Sequence, residues 1–213
     1  KEQLQAYEEM KTLALALFAQ GMTTTVNALT QLMRLHQITC GHTKLDDGTE
    51  IDIPTNRVTE MMSVIEETSG KAIIWSGYRH DIESIKLALQ KEYGMAAVGT
   101  YYGDTDDEER RRVVREFQDP DSELRFFVGN PRTGGYGLTL TAASTVVYFS
   151  NSFDLEVRLQ SEDRAHRIGQ TKSVTYVDLF VPGTIDEKIV KALRAKIDIA
   201  NEVLGEEAKA WLI

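Results

Sequence analysis

Apolar residues recur at three- and four-residue intervals through the first part of the chain, as they do on one face of an α-helix. Leu29 and Leu32 belong to this pattern, which extends over residues 1–38. Residues 41–54 then have the composition of a loop or a hairpin tip. We therefore predict helices before residue 38, a turn-rich segment, and a new helix that begins near residue 55.

Beyond Gly70 the pattern changes to short β-branched or aromatic runs that alternate with amphipathic segments. The predicted strands are 72–75, 96–100, 125–128, 145–149 and 174–180. The predicted helices are 81–91, 106–117, 154–167 and a last one at 184–204. A β-α-β-α succession of buried strands indicates a parallel sheet with helices on both faces and right-handed crossovers. Ligands of such sheets bind at the carboxyl ends of the strands.

These elements predict an α/β fold in two parts. The first part, 1–54, is a mainly helical segment, and the second, 55–213, is a domain built on the parallel sheet and closed by the last helix. The chain has 213 residues, 42% hydrophobic and 27% charged, which is an ordinary globular composition. Because it begins with Lys1, we expect a processed product or an excerpt of a longer protein.

Composition restricts the partners that we expect. No run approaches the roughly 18 consecutive apolar residues of a membrane span, so no membrane contact is predicted. The single cysteine, Cys40, has no internal disulfide partner, which fits an intracellular, reducing compartment. His36, Cys40 and His42 lack a fourth ligand nearby, so we predict no metal site. The net charge of −9 argues against bulk attraction to nucleic acid, and any such contact must be local.

The run Gln160-Ser-Glu-Asp-Arg164-Ala-His-Arg167-Ile-Gly-Gln170 carries the main chemical hypothesis. Read as a helix, its four-then-three spacing places Gln160, Arg164 and Arg167 on one stripe. Guanidinium groups suit the planar recognition of phosphate oxygens. The alternative is a surface helix whose arginines pair with Glu162 and Asp163. The run resembles motif VI of superfamily-two helicases, in the form that Swi/Snf-type DNA translocases have.

The resemblance implies a RecA-like C-terminal lobe that completes an ATP site. Arg167 is then the principal arginine finger and Arg164 its partner, and Gln160 and Gly137 lie against the nucleotide. The chain contains neither Gly-x-x-x-x-Gly-Lys-Ser/Thr nor an Asp-Glu-x-His box. We therefore expect the phosphate loop and the Mg²⁺ ligands on a missing N-terminal lobe of the same parent chain, and no ATP hydrolysis by this fragment alone.

A glycine-rich segment, 130–141, directly follows a predicted strand. Its glycines allow the backbone to approach another molecule closely, although many such segments are simply turns. The segment resembles motif V of the same family, which implies that Arg132, Thr133 and Gly134 contact the tracked DNA strand.

Residues 71–78 form a strand that ends in a small polar residue and a glycine. A core strand entering a turn would have the same appearance. The segment resembles motif IV, in which the backbone after the strand meets a DNA phosphate. The resemblance therefore makes Ser76, Gly77 and Arg79 candidate nucleic-acid contacts.

We interpret the chain as the C-terminal motor lobe of a Swi/Snf-type, ATP-driven translocase of double-stranded DNA. The alternatives are a lobe of a strand-separating DNA or RNA helicase and a non-catalytic nucleic-acid-binding adaptor. Residues 151–154 replace the Trp-Asn-Pro that the family shows after the fourth strand. This departure suggests a compact bacterial or phage-like member, located in the cytoplasm of a bacterial or phage-infected cell.

Overall fold

The structure is a computed structural model that describes residues 1–19, 25–45, 47–133, 138–167, 173–196 and 211. Its helices are α1 (Glu2–Ala19), α2 (Thr25–Cys40), α3 (Arg57–Glu66), α4 (Arg79–Tyr93), α5 (Asp107–Gln118), α6 (Leu155–Ala165) and α7 (Ile185–Arg194), with a 3₁₀ turn at Met95–Ala97. Its strands are β1 (His42–Lys44), β2 (Glu50–Asp52), β3 (Lys71–Trp75), β4 (Val98–Tyr101), β5 (Phe126–Gly129), β6 (Ala143–Tyr148) and β7 (Thr175–Asp178). Within these ranges, no helix combines the length and the apolar run that crossing a membrane requires.

Contacts within the chain define two compact units, residues Lys1–Asn56, Phe153–Leu155 and Phe180–Ile213, and residues Arg57–Ser152 and Glu156–Leu179. The second unit contains a five-stranded sheet in the order β4-β5-β3-β6-β7. All of its strand pairs are parallel, which confirms the predicted fold class. Trp75, the last residue of β3, is in register with both Gly129 and Tyr148. The three central strands therefore end at the same level.

Side chains of the sheet alternate between two cores because successive residues of a strand point to opposite faces. Ala72 and Ile74 pack with α3 and α4, whereas Ile73 and Trp75 pack with α5 and the end of α6. All of these strand residues are fully buried. Burial on both faces explains why the strands read as continuous apolar runs in the sequence.

The first unit packs α1, α2 and α7 around one core, beside the β1–β2 hairpin. The Tyr7 hydroxyl accepts the Ile185 amide of α7 at 2.8 Å, and burial, the largest influence, raises the pKa of Tyr7 to about 12. The Thr184 hydroxyl caps α7 by accepting the Asp186 amide. The sequence analysis assigns residues 184–204 to the sheet domain as its closing helix. In the structure the apolar face of α7 lies in one core with α1 and α2.

Gly129 occupies a position where a side chain has no room. A Cβ there would lie 2.7 Å from the Tyr101 carbonyl oxygen and 3.1 Å from the Trp75 ring. We expect Gly129→Ala to lower the free energy of unfolding by about 1–3 kcal/mol, the usual cost of overpacking. Denaturant unfolding of the chain measures this change. Gly103→Ala is the matched control, since a Cβ there meets no atom within 4 Å, and an equal loss in both variants would contradict the packing argument.

Candidate functional site

The carboxyl ends of the parallel strands carry the loops that contain four of the candidate residues, Ser76, Gly77, Arg132 and Thr133. These loops are 76–78 after β3, 102–105 after β4, 130–133 after β5 and 149–152 after β6. Because parallel strands end at one edge of a sheet, residues that are far apart in the sequence come together there. We refer to this part of the second unit as the carboxyl edge.

A buried chain of hydrogen bonds joins the loops after β3 and β6. The Ser76 hydroxyl donates to an Asp81 carboxylate oxygen at 2.7 Å and lies 2.7 Å from the Ser150 hydroxyl. Since Ser76 uses its proton on Asp81, Ser150 donates to Ser76 and accepts the Gly77 amide at 2.9 Å. Each of these three side chains is at most 1% exposed. The network therefore holds the loop after β3 in one conformation.

The same network occupies the amides that were candidates for phosphate contact. The Ser76 amide donates to the Gly129 carbonyl at 3.0 Å, and the Tyr78 amide to the Ser76 hydroxyl at 3.3 Å. With the Gly77 amide on Ser150, the backbone donors of residues 76–78 are all engaged inside the protein. Arg79 differs, because its side chain is 71% exposed and its guanidinium lies 2.5 Å from the Asp104 carboxylate.

Asn130 organises the loop after β5 and was missed by the sequence analysis. Its side-chain nitrogen donates to the Gly77 carbonyl at 3.1 Å, and its side-chain oxygen accepts the Arg132 backbone amide at 2.8 Å. The Arg132 side chain is exposed and reaches the Ser152 hydroxyl at 3.4 Å. The sequence feature that indicates a role for Asn130 is its position as the first residue after a strand of the parallel sheet. Gly134 and Gly137 lie outside the described residues.

Arg164 lies on the buried face of α6 and is 5% exposed. Its guanidinium carbon is 5.3 Å from the centre of the Trp75 ring, and one of its nitrogens donates to the Thr133 carbonyl at 3.3 Å. Among the described residues it forms no ion pair with a carboxylate. Burial is the main influence on its pKa, which is lowered, but an arginine still carries its charge at neutral pH.

The predicted stripe of three side chains does not form, because the residues of the run differ in depth. The helix ends at Ala165, so Arg167 lies beyond it, exposed, and donates to the Thr139 hydroxyl at 3.0 Å. Gln160 donates to Glu156 along the helix surface at 2.8 Å. The prediction that Gln160 shares one face with both arginines is therefore wrong in geometry, and its contact with the nucleotide stays a prediction.

Arg158, another residue on the buried face of α6, was also missed. One of its nitrogens lies 2.5 Å from Asp178 and 2.6 Å from Asn151, and another lies 2.6 Å from Glu162. Its guanidinium stands 3.6 Å from the centre of the Tyr148 ring. Burial lowers the pKa of Arg158, but Tyr148 and the carboxylates outweigh this effect and raise it. A spacing of six residues places its side chain about 120° around the helix from that of Arg164, so the run around Arg164 did not point to it.

Most of the second unit matches the model of a known protein family. The family model described as "Helicase conserved C-terminal domain" matches residues 55–169. The chromatin-remodeling ATPase INO80 of Homo sapiens is 38% identical over 122 residues, which are 56% of this chain and 8% of that protein. The SWI/SNF chromatin-remodeling complex subunit snf22 of Schizosaccharomyces pombe is 37% identical over 102 residues, 48% of this chain and 6% of that protein.

Solved structures from Sulfolobus solfataricus have the same fold. The SWI2/SNF2 ATPase core in complex with dsDNA has a TM-score of 0.76 at 24% identity, covering 100% of this chain and 47% of that one. The SWI2/SNF2 ATPase C-terminal domain has a TM-score of 0.65 at 21% identity, covering 100% and 89%. These similarities confirm the RecA-like fold class.

The relatives give no support to the expectation of a bacterial or phage-like member in a bacterial cytoplasm. The curated relatives named above are eukaryotic chromatin-remodelling proteins. The replacement of Trp-Asn-Pro at residues 151–154 was a weak basis for that expectation, because one short loop varies more readily than a packed strand.

The two buried arginines of α6 are expected to respond oppositely to loss of charge. Arg158→Met removes one partner of a buried ion pair and should lower the free energy of unfolding by about 3–5 kcal/mol. Arg164→Met removes a cation that has no carboxylate partner in the described residues, so stability should be unchanged or higher. Denaturant unfolding of both variants tests this contrast. A loss of similar size in Arg164→Met would contradict our interpretation of its charge.

Proposed function

Because the chain belongs to the family of helicase conserved C-terminal domains, we propose that it is the C-terminal motor lobe of an ATP-dependent double-stranded DNA translocase of the Swi/Snf type. The chain spans less than a tenth of the curated relatives it matches, so the proposal concerns one lobe of a larger machine. The neighbouring structure whose title names a complex with dsDNA supports DNA as the partner.

Among the described residues no carboxylate compensates the charge of Arg164, and this observation carries the proposal. Taking a cation out of water is costly unless an anion or several hydrogen-bond acceptors compensate it. Arg158, on the same helix, has its charge compensated, with Asp178 and Glu162 within 2.6 Å. Arg164 has a neutral carbonyl and an aromatic ring instead. Such a residue is suited to an anion supplied from outside the chain, and guanidinium groups bind phosphate well.

In the proposed mechanism Arg164 and Arg167 complete an ATP site whose phosphate loop and Mg²⁺ ligands belong to an N-terminal lobe. Arg167 is exposed just beyond α6, where its guanidinium is able to reach another lobe. Negative charge spreads over the transferring phosphoryl group, and arginine fingers stabilise it, with rate effects of about 10³–10⁵ in other systems. Arg167 is the principal finger in this scheme, and Arg164 supports it from a more rigid position.

The same edge supplies the proposed contacts with DNA. Arg79 and Arg132 are exposed there. Thr133 directly follows Arg132 in the loop and is in contact with Arg164. Arg164 donates to the Thr133 carbonyl, so the proposed finger is bonded directly to the loop that would follow the DNA strand. Closing of two lobes around ATP and their reopening after hydrolysis would shift this loop along the backbone. The backbone amides of residues 76–78 already donate to groups inside the protein. Among the residues that follow β3, Arg79 is therefore the stronger candidate for a DNA contact.

A test of the finger uses a protein that contains this lobe together with its N-terminal lobe. We expect duplex DNA to stimulate ATP turnover, and Arg167→Ala to lower kcat by about 10³-fold with ATP binding retained. Arg111→Ala, at an exposed arginine of α5, is the matched control. Equal turnover in the Arg167→Ala protein would remove this residue from the mechanism. An inactive parent protein would favour the adaptor, and separation of duplex strands would favour the helicase alternative.

A second test concerns the DNA contact. Arg132→Ala should weaken binding of a fluorescent duplex equally for unrelated sequences, because phosphate contacts carry no sequence information. It should also reduce the slope of log K against log salt concentration by about 1. Fluorescence anisotropy over a series of salt concentrations measures both effects, with Arg111→Ala again as the control. An unchanged slope would exclude Arg132 from the DNA interface.

A further inference from the structure

We propose that Arg158 is a positioning residue, which fixes α6 at the carboxyl edge and thereby sets the location of Arg164. The proposal rests on the function proposed above, because it concerns the alignment of the finger arginines. Arg158 does not itself meet the nucleotide in this scheme.

The contacts of Arg158 join three elements of the second unit. From its place on α6 its guanidinium reaches Asn151, just after β6, and Asp178, the last residue of β7. The side-chain nitrogen of Asn151 also donates to the Asp178 carboxylate at 3.2 Å, so the acceptors are themselves held in place. The guanidinium is planar and lies over the Tyr148 ring. These contacts determine the direction of the side chain as well as its distance from the sheet.

Two further bonds hold the same part of α6. The Tyr148 hydroxyl lies 2.7 Å from the Ser161 hydroxyl, and the Tyr176 hydroxyl donates to the Glu162 carbonyl at 3.2 Å. Arg158 is thus the charged centre of a buried attachment between this helix and the ends of β6 and β7. At the other end of the helix, the Leu140 amide donates to the Arg164 carbonyl at 2.8 Å.

Charge distinguishes Arg158 from a ligand-binding arginine. Two carboxylates, Asp178 and Glu162, already face its single positive charge. A phosphate brought to this place would meet a negative surplus. The positive charge of Arg158 is therefore compensated by carboxylates inside the protein, whereas Arg164 meets only a neutral carbonyl and an aromatic ring among the described residues.

The geometry explains how Arg158 acts at a distance. Six residues of an α-helix span roughly 9 Å. A tilt of α6 by about 6° at Arg158 would therefore displace Arg164 by about 1 Å. Within the part of the chain that the structure describes, Arg164 itself is held by one side-chain hydrogen bond and a ring contact. A displacement of about 1 Å in a catalytic arrangement costs up to about 10²-fold in rate. A lysine at position 158 keeps the charge but, as a point donor, does not reproduce the planar fork or the stacking.

The experiment compares Arg158→Lys with Arg57→Lys in the protein that contains both lobes. Arg57 is a second buried arginine of this unit, 5% exposed, which donates to the Phe149 and Leu179 carbonyls at 2.6 Å. We expect both variants to lose similar thermal stability. Arg158→Lys alone should lower kcat for DNA-stimulated ATP hydrolysis by about 10- to 100-fold, with KM for ATP unchanged. Equal kcat values in the two variants would overturn the proposal, because the effect would then be one of stability alone.

Arg164→Lys in the same assay separates this proposal from the proposed function. If Arg164→Lys lowers kcat and Arg158→Lys does not, the positioning role fails while the finger role stands. If neither the Arg164→Lys nor the Arg167→Ala protein loses activity, the proposed function fails. Should Arg158→Lys not fold, Glu162→Gln removes one partly exposed partner of Arg158. A smaller fall in kcat at constant KM is then expected, and an unchanged kcat would overturn the proposal.

Discussion

The parallel pairing of β3 with both of its neighbours is the constraint on which the rest of the structure depends. Trp75 is in register with Gly129 and Tyr148, so the central strands end together. Parallel strands need a crossover connection, and each loop that leaves a strand end therefore lies at the same edge. This arrangement brings Ser150 within hydrogen-bond distance of Gly77, although they are 73 residues apart in the sequence. The candidate site is a direct consequence of strand direction.

At this edge, polar groups divide into those that build the loops and those that remain for a partner. The buried hydroxyls of Ser76 and Ser150 and the carboxylate of Asp81 satisfy one another and the nearby amides. A buried hydrogen-bonded network rigidifies its surroundings, because breaking any of its bonds leaves a polar group without compensation. Such loops offer few donors of their own. The exposed charged side chains at this edge include the cations Arg79 and Arg132, together with Asp104, which pairs with Arg79.

The arginines of α6 follow the same division, and here the physical reason is charge. Arg158 is compensated by carboxylates from α6 and β7, and Arg164 by neutral groups only within the described residues. Natural proteins retain costly features of this kind where function requires them, since an uncompensated buried cation weakens the folded state. On the surface of α5, Arg112 bridges Glu109 and Glu116, so its charge too is compensated within the protein.

Local patterns in the sequence determined the element types and the parallel sheet, and they singled out the arginine-rich run. They did so because the spacing of apolar side chains within a short segment already indicates a helix or a buried strand. They did not determine that Arg164 is buried while Arg167 is exposed, since helical spacing specifies a face and not its depth, and α6 ends between the two. The partnership of Arg158 with Asp178 and the placement of α7 beside α1 were likewise decided by the tertiary structure. Both depend on contacts between distant segments, and only the packing of the whole chain specifies which distant groups meet.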